Sequence, residues 1–345
     1  MKKHAIIPIF IPHKGCPNDC VFCNQKKITA RQKPVTFDDV DKIIVSYLET
    51  LENRGLETIE VAFFGGSFTG IPLDDQIGYL KIAKKYKDMG KIHKIHLSTR
   101  PDYIDKEILD NLKHYGVDII ELGVQSFDEE VLRLSNRGHN KEVVYSSSRL
   151  IKDYGFTLGI QLMIGLPGDT MEKSIYSAKE TVKIKPSIAR LYPTIVINDT
   201  ELYNSYKRGE YTPLTQTEAV NRTKEMYKIL TEAGINIIRV GLKSTDIINE
   251  NGDISGGTFH PAFRQLVEGE IAKEKLCQKL TDLGIVSFAK EKDEVIFLAN
   301  QKSFSNLSGQ GKRNKLFFAE EYPNLIINFK EDSSLFDNEY EVRRK

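Results

Sequence analysis

The stretch AIIPIFI (5–11), followed by TFDDVDKIIVSYLETLENRG (36–55) and TIEVAFF (58–64), reads as strand, helix and strand. AIIPIFI is an apolar run of strand length. The helical segment opens on Thr36 and Asp39, a capping box in which hydroxyl and carboxylate each take a backbone N–H. Gly55 closes it. The beat repeats: a helix around 73–88, strand KIHLS (94–98), helix DKEILDNLKHYG (105–116) and strand VDIIELGV (117–124). It continues with helix 140–155, strand FTLGIQLMIG (156–165), helix 170–184, strand SIARLYP (187–193), helix 217–234 and strand INIIRV (235–240). Strands that read apolar on both faces, separated by helices, call for a parallel sheet covered by helices. An open doubly wound sheet and a full or partial barrel both satisfy this pattern. Polar or glycine motifs after nearly every strand favour the barrel, which assembles its site from all the strand C-termini. The expected fold is α/β: a partial (β/α) parallel barrel over 1–245, then a loop and small α/β C-terminal region over 246–345.

Composition sets the class. Hydrophobic residues make up 40% of the 345 and charged residues 28%, which supports a sizeable core and a soluble surface. Lys and Arg number 49 against 48 Asp and Glu, a net charge of +1. That balance excludes a general nucleic-acid coat, which needs a large basic excess. The longest apolar run, 5–12, is far shorter than the roughly 20 residues that span a bilayer. It also lacks the small-residue cleavage site of a signal peptide. The expectation is a cytoplasmic chain with no membrane partner.

Of four cysteines, Cys16, Cys20 and Cys23 form C-x3-C-x2-C just after the first strand, and Cys277 stands alone. A disulfide framework would spread and pair its cysteines, so a reducing compartment fits better. A knot of thiols there binds metal or does redox chemistry; the alternative is a set of buried structural thiols. Zinc usually takes four protein ligands in two separated pairs, and the sequence has no second pair. A cubane iron–sulfur cluster is normally held by four thiolates. Three would leave one iron open to an outside ligand. Gly15, Pro17 and Asn18 supply turn chemistry for a compact loop.

With Phe22 just before the third cysteine, this motif after the first strand of a β/α barrel resembles the radical S-adenosylmethionine (SAM) superfamily. The resemblance implies a partial barrel of the radical SAM type. It also implies a 4Fe–4S cluster on Cys16, Cys20 and Cys23, with S-adenosyl-L-methionine chelating the fourth iron. One electron from the cluster then cleaves SAM to methionine and a 5′-deoxyadenosyl radical that abstracts hydrogen from a substrate. Reduced flavodoxin or ferredoxin is the implied electron donor. In FFGGSFTG (63–70), Gly65 and Gly66 match the pair that receives the SAM amino group, with Ser67 where an acidic residue often sits. Polar residues Gln125, Arg137 and Gln161 match positions that touch the ribose, carboxylate or sulfonium side of SAM. Gly165, in GLPG (165–168), lies in the stretch matched to the adenine, and Phe22 and Ser98 complete the expected cofactor-binding set.

STRPDYI (98–104), GVQS (123–126), NRGH (136–139) and RLYPTIVINDTELY (190–203) narrow the resemblance to the radical SAM domain of the catalytic subunit of Elongator. It covers roughly residues 5–240 and implies tRNA as a candidate substrate, since that subunit modifies the wobble uridine with an acetyl group from acetyl-CoA. The cysteine spacing is shorter here, and CNQKKITARQKPVT (23–36) replaces the Pro-Gly-Gly and functional lysine segment. After residue 245 there is no acyl-CoA signature, so no acetyltransferase domain is expected. The short cysteine spacing and LPGD also resemble the oxygen-independent coproporphyrinogen oxidases, which lack RPDY and YPT. That enzyme class, a non-catalytic iron–sulfur tRNA-binding protein and a zinc-binding scaffold are the other readings.

Lys26, Lys27, Arg31 and Lys33 follow the cysteines and suit an acidic electron donor, a phosphate-bearing substrate or simply solvent. The lysine-rich stretch 81–94 reads as a solvated outer face. GGTFHPAFRQLVEGE (256–270) is expected to cap the barrel mouth through His260 or Arg264, or to pack between domains. Cys277 reads as core. The tail reads as strand (293–298), basic turn (Lys312, Arg313, Lys315), helix, strand (324–329) and charged end.

Overall fold

A computed structural model of the chain describes residues 3–11, 20–24, 35–242, 252–288 and 292–345. The strands β1 (His4–Ile11), β2 (Thr58–Gly65), β3 (Lys94–Thr99), β4 (Ile119–Gln125), β5 (Thr157–Ile164) and β6 (Ile188–Pro193) alternate with helices. The short β7 (Ile195–Ile197) leaves the sheet, and β8 (Asn236–Val240) rejoins it beside β6. The order β1-β2-β3-β4-β5-β6-β8 is parallel throughout, a half-barrel of seven strands. Helix starts follow their capping residues. Asp39 N–H donates to Thr36 Oγ1 at 3.1 Å and Thr36 N–H to Asp39 Oδ2 at 3.0 Å, so the expected box opens helix Phe37–Leu51. The side chains of Asp105, Asn140 and Thr170 cap helices Lys106–His114, Lys141–Asp153 and Met171–Ile184 in the same way.

The two faces of this sheet differ in kind. One carries Val61, Phe63, Ile95, Leu97, Ile120, Leu122, Ile160, Leu162 and Leu191, all fully buried. Helix residues such as Ile44, Leu80, Leu109 and Ile151 are equally buried. The other face carries the alternate residues, which the parallel register aligns: Ala62 with His96, Ser98 with Glu121, Gln161 with Arg190, and Arg190 with Arg239. Strands apolar on both faces, as the runs suggest, are thus corrected. The concave face is polar because a half-barrel leaves its inside open instead of filling it with a third apolar layer.

The chain forms two compact units, Met1–Thr215 with Met226–Phe259, and Gln216–Glu225 with His260–Lys345. In the first, part of the glycine-rich loop forms β9 (Ile254–Gly257), antiparallel to β7. In the second, β10 (Asp293–Ala299) pairs parallel with β11 (Leu325–Glu331) and antiparallel with β12 (Tyr340–Arg344). The charged end is therefore a strand. Tyr340 and Val342 enter the core, while Arg343 and Arg344 reach Asp332 and Asp293. Helix Phe263–Asp282 covers the sheet with Leu276 and Leu280, and Cys277 packs against the same core. Burial pushes its thiol pKa up.

Candidate active site

Cys16 lies outside the described residues, as do Lys26, Lys27, Arg31 and Lys33. The turn that follows is well anchored. Cys23 N–H donates to the Cys20 carbonyl at 2.9 Å, Val21 N–H to Ser135 at 3.2 Å, and Leu202 N–H to Val21 at 2.7 Å. These bonds tie Cys20 and Cys23 to the loops after β4 and β7. Phe22, between them, is half-buried.

Arg137 is the centre of the site. It follows helix Glu129–Leu134 in a loop bent by Asn136 and Gly138, both at positive φ. Its Nη1 donates to Cys20 Sγ at 3.0 Å and its Nη2 to the Gly123 carbonyl. Its Nε is buried with no partner, an unspent donor. The Arg137 carbonyl accepts from Arg100 Nη2, and Arg100 is itself gripped by Asp102 at 2.9 and 2.8 Å. STRPDY is thus a brace: Thr69 bonds both Thr99 and the Tyr103 carbonyl, and Ser67 Oγ accepts from Arg100 N–H at 2.9 Å. The motif is visible in the sequence but this positioning role is not, because Arg100 and Arg137 meet only in the fold. Nearby His139 also leaves Nε2 buried and unpartnered. Burial, and then the Arg137 charge, push its pKa down to about 4.

The other expected cofactor residues gather at the strand ends. A bulge between Gly123 and Gln125 holds Gln125 at φ 71°, and its Oε1 accepts from Gln161 Nε2 at 3.3 Å. Gly65 pairs with Ile11 at the end of β1, where a Cβ would stand 2.5 Å from the Ile11 carbonyl oxygen, and its φ is +111°. Only glycine fits there. Gly66 N–H donates to the same carbonyl at 3.2 Å. Gly165 N–H donates to Asp169 at 2.7 Å and its carbonyl accepts from Tyr211 at 2.6 Å. Cys20, Arg137, Gly123, Gln125 and Gln161 are brought together, while Gly165 is held in its own turn.

Family models match this framework. That for the radical SAM superfamily matches residues 10–178 and that for the radical SAM C-terminal domain matches residues 186–273, together well over half of the chain. The chain belongs to the radical SAM superfamily. A tRNA uridine(34) acetyltransferase of Methanocaldococcus jannaschii is 29% identical over 255 residues, covering 63% of this chain and 47% of that protein. Elongator complex protein 3 of Homo sapiens is 31% identical over 195 residues, 50% of this chain and 36% of that protein. The chain thus spans about half the length, or less, of these curated relatives. The archaeal Methanocaldococcus infernus Elp3 with an N-terminal deletion shares the fold, with a TM-score of 0.65 and 24% identity, over 80% of this chain and 64% of that one. Among the described residues, no helix is long and apolar enough to cross a membrane.

Below the radical SAM rim, the concave face holds a chain of ionisable groups that sequence reading missed. Glu60 lies 2.8 Å from His96 Nδ1 and 3.2 Å from His4. Burial alone would raise the Glu60 pKa, but the hydrogen bonds and charges of His96 and His4 hold it below its ordinary value. Ser98 donates to Glu121 at 3.3 Å. Arg190 Nε sits 2.7 Å from Glu121 Oε2, off the N–H axis, so this is an ion pair rather than an aligned hydrogen bond. Gly159 makes room for this carboxylate: a Cβ there would meet Ile188 at 2.9 Å and the Glu121 stem at 3.2 Å. The available signal was period-two polarity, as in His96–Ser98, Glu121–Gly123–Gln125 and Arg190–Tyr192. In the second unit, His260 Nδ1 accepts from Ala262 N–H and Arg264 pairs with Glu268.

Proposed function

We propose that Cys16, Cys20 and Cys23 hold a 4Fe–4S cluster and that Gly65, Gly66, Ser98, Gln125, Arg137 and Gln161 contact SAM, with Phe22 and Gly165 at the margins. The observation that carries this reading is Arg137, which is buried against Cys20 Sγ and keeps an unpartnered Nε. A buried guanidinium is costly unless a negative group meets it, and both a thiolate-bound cluster and a carboxylate would do so. Bound there, cluster and SAM would supply a 5′-deoxyadenosyl radical that removes a hydrogen atom from the substrate. The protein's share is positioning: Arg100 and Asp102 fix Arg137, and the bulge at Gln125 aims its amide at Gln161.

The tRNA uridine(34) acetyltransferases among its relatives favour tRNA as the substrate. Reduced flavodoxin or ferredoxin as electron donor and the cytoplasm as the place of action rest on the sequence resemblance alone. Anaerobic reconstitution with iron and sulfide, followed by dithionite and SAM, tests the chemistry. We expect about four irons per chain, release of 5′-deoxyadenosine and methionine, and loss of both in Cys20→Ala. Iron binding without 5′-deoxyadenosine, or one zinc and no sulfide, would overturn the reading. Adding bulk tRNA and analysing its nucleosides by mass tests the substrate: a changed uridine supports tRNA, and unchanged nucleosides with active SAM cleavage reject it.

A further inference from the structure

One row across the concave face carries more positive charge than the described residues around it are seen to pair. Gln161 on β5, Arg190 on β6 and Arg239 on β8 stand side by side in register. Arg190 is held in place: Glu121 flanks its Nε, the guanidinium lies over the Phe64 ring at 4.7 Å, and Nη1 meets the Tyr192 hydroxyl at 3.3 Å. A guanidinium carries five N–H donors, so most of them remain unspent. Arg239 is half-buried, and its side chain makes no hydrogen bond or ion pair among the described residues.

Two guanidiniums on this row therefore face one adjoining carboxylate, Glu121, which of the two touches only Arg190. The next carboxylate on the face, Glu60, is already engaged by His96 and His4. Like charges on adjacent strand positions repel, and partial burial makes that repulsion worse. A pair of arginines is retained in such a setting when an oxyanion joins them, because the planar forks match a phosphate or carboxylate.

We propose that Arg190 and Arg239 form a seat for one anionic group, a phosphate ester or a carboxylate, of the molecule bound inside the half-barrel. Its register with Gln161 places that group beside the residues assigned to SAM, so the seat anchors the substrate rather than the cofactor. Calling the anchored molecule a substrate rests on the radical SAM reading, whereas the anion seat does not. Glu121 and Phe64 act as positioning residues that hold the Arg190 fork open.

Isothermal titration of the full chain with inorganic phosphate and with acetate tests this. We expect one anion per chain, with Arg239→Gln weakening it about tenfold or more. Arg190→Lys, which leaves Glu121 paired, should weaken it too, because a point charge cannot replace the fork. Tighter phosphate binding assigns the seat to a phosphate ester, and tighter acetate binding to a carboxylate. The proposal is overturned if neither anion binds, if Arg239→Gln binds both as tightly as the parent, or if SAM competes with the anion. Cys20→Ala should keep anion binding while losing SAM cleavage, so failure of the cluster chemistry and failure of the seat are read separately.

Discussion

Glu121 and Leu122 are consecutive residues of β4 and equally buried, at 1% and 0% exposure, yet they face opposite sides of one sheet. Leu122 points under the helices, where any apolar side chain of the right volume would serve. Glu121 points inward and is one partner of a buried ion pair with Arg190. Burial on the helix side is ordinary core packing. On the concave side it costs desolvation and is tolerated because His96, Ser98 and Arg190 surround the carboxylate.

Breaking that contrast gives the largest expected effects. Glu121→Ala leaves Arg190 buried without its partner and should destabilise the chain by about 3–5 kcal/mol in urea unfolding. Leu122→Ala should cost about 2–5 kcal/mol by removing core volume. Only the inner-face loss is recoverable by making the pair apolar. Glu121→Leu combined with Arg190→Met should match or exceed the parent's stability while abolishing anion binding. If the double variant is as unstable as Glu121→Ala, the inner face is a packed core like the outer one.

A smaller effect concerns the rim. Because His139 is held down to about 4 in the fold against 6.5 when unfolded, the unfolded chain binds the extra proton first. Its environment is without penalty above pH 6.5, and stability is lost as pH falls from 6.5 toward about 4. The loss approaches about 3 kcal/mol, and His139→Gln should remove it from the pH profile of the urea midpoint. An unchanged acid limb in that variant would place the imidazole in water. The smallest effect is at Glu60, whose lowered pKa contributes stability above its ordinary value of 4.5 that fades as pH drops below it. Glu60→Gln should flatten that last part of the curve by about 1 kcal/mol, and an identical curve would mean that His96 and His4 contribute nothing to its ionisation.

Much of this architecture was legible. Helix Leu73–Asp88 falls where the pattern set it, and the capping box at Thr36 and Asp39 forms as expected, because each depends on residues a few positions apart. Among the candidate residues, Cys20, Gln125, Arg137 and Gln161 do converge. The Arg100–Asp102 brace behind Arg137 was not legible, since nothing in NRGH reports what touches its carbonyl. The strand at Tyr340–Arg344 was hidden by its charges: two buried side chains decide it, and three charged ones, Glu341, Arg343 and Arg344, dominate its composition.

The sequence by itself determined the beat of strands and helices, the thiol knot and the glycine at the end of β2. These are local matters of periodicity, ligand type and backbone sterics. Tertiary structure alone decided which alternate residues of each strand face the open side. It also set Arg190 and Arg239, far apart in the chain, side by side in register and brought Glu121 against Arg190. Register between parallel strands is set by packing of the apolar face against the helices. The polar face inherits its neighbours from that packing, and so the chemistry of the inner surface appears only once the outer one is closed.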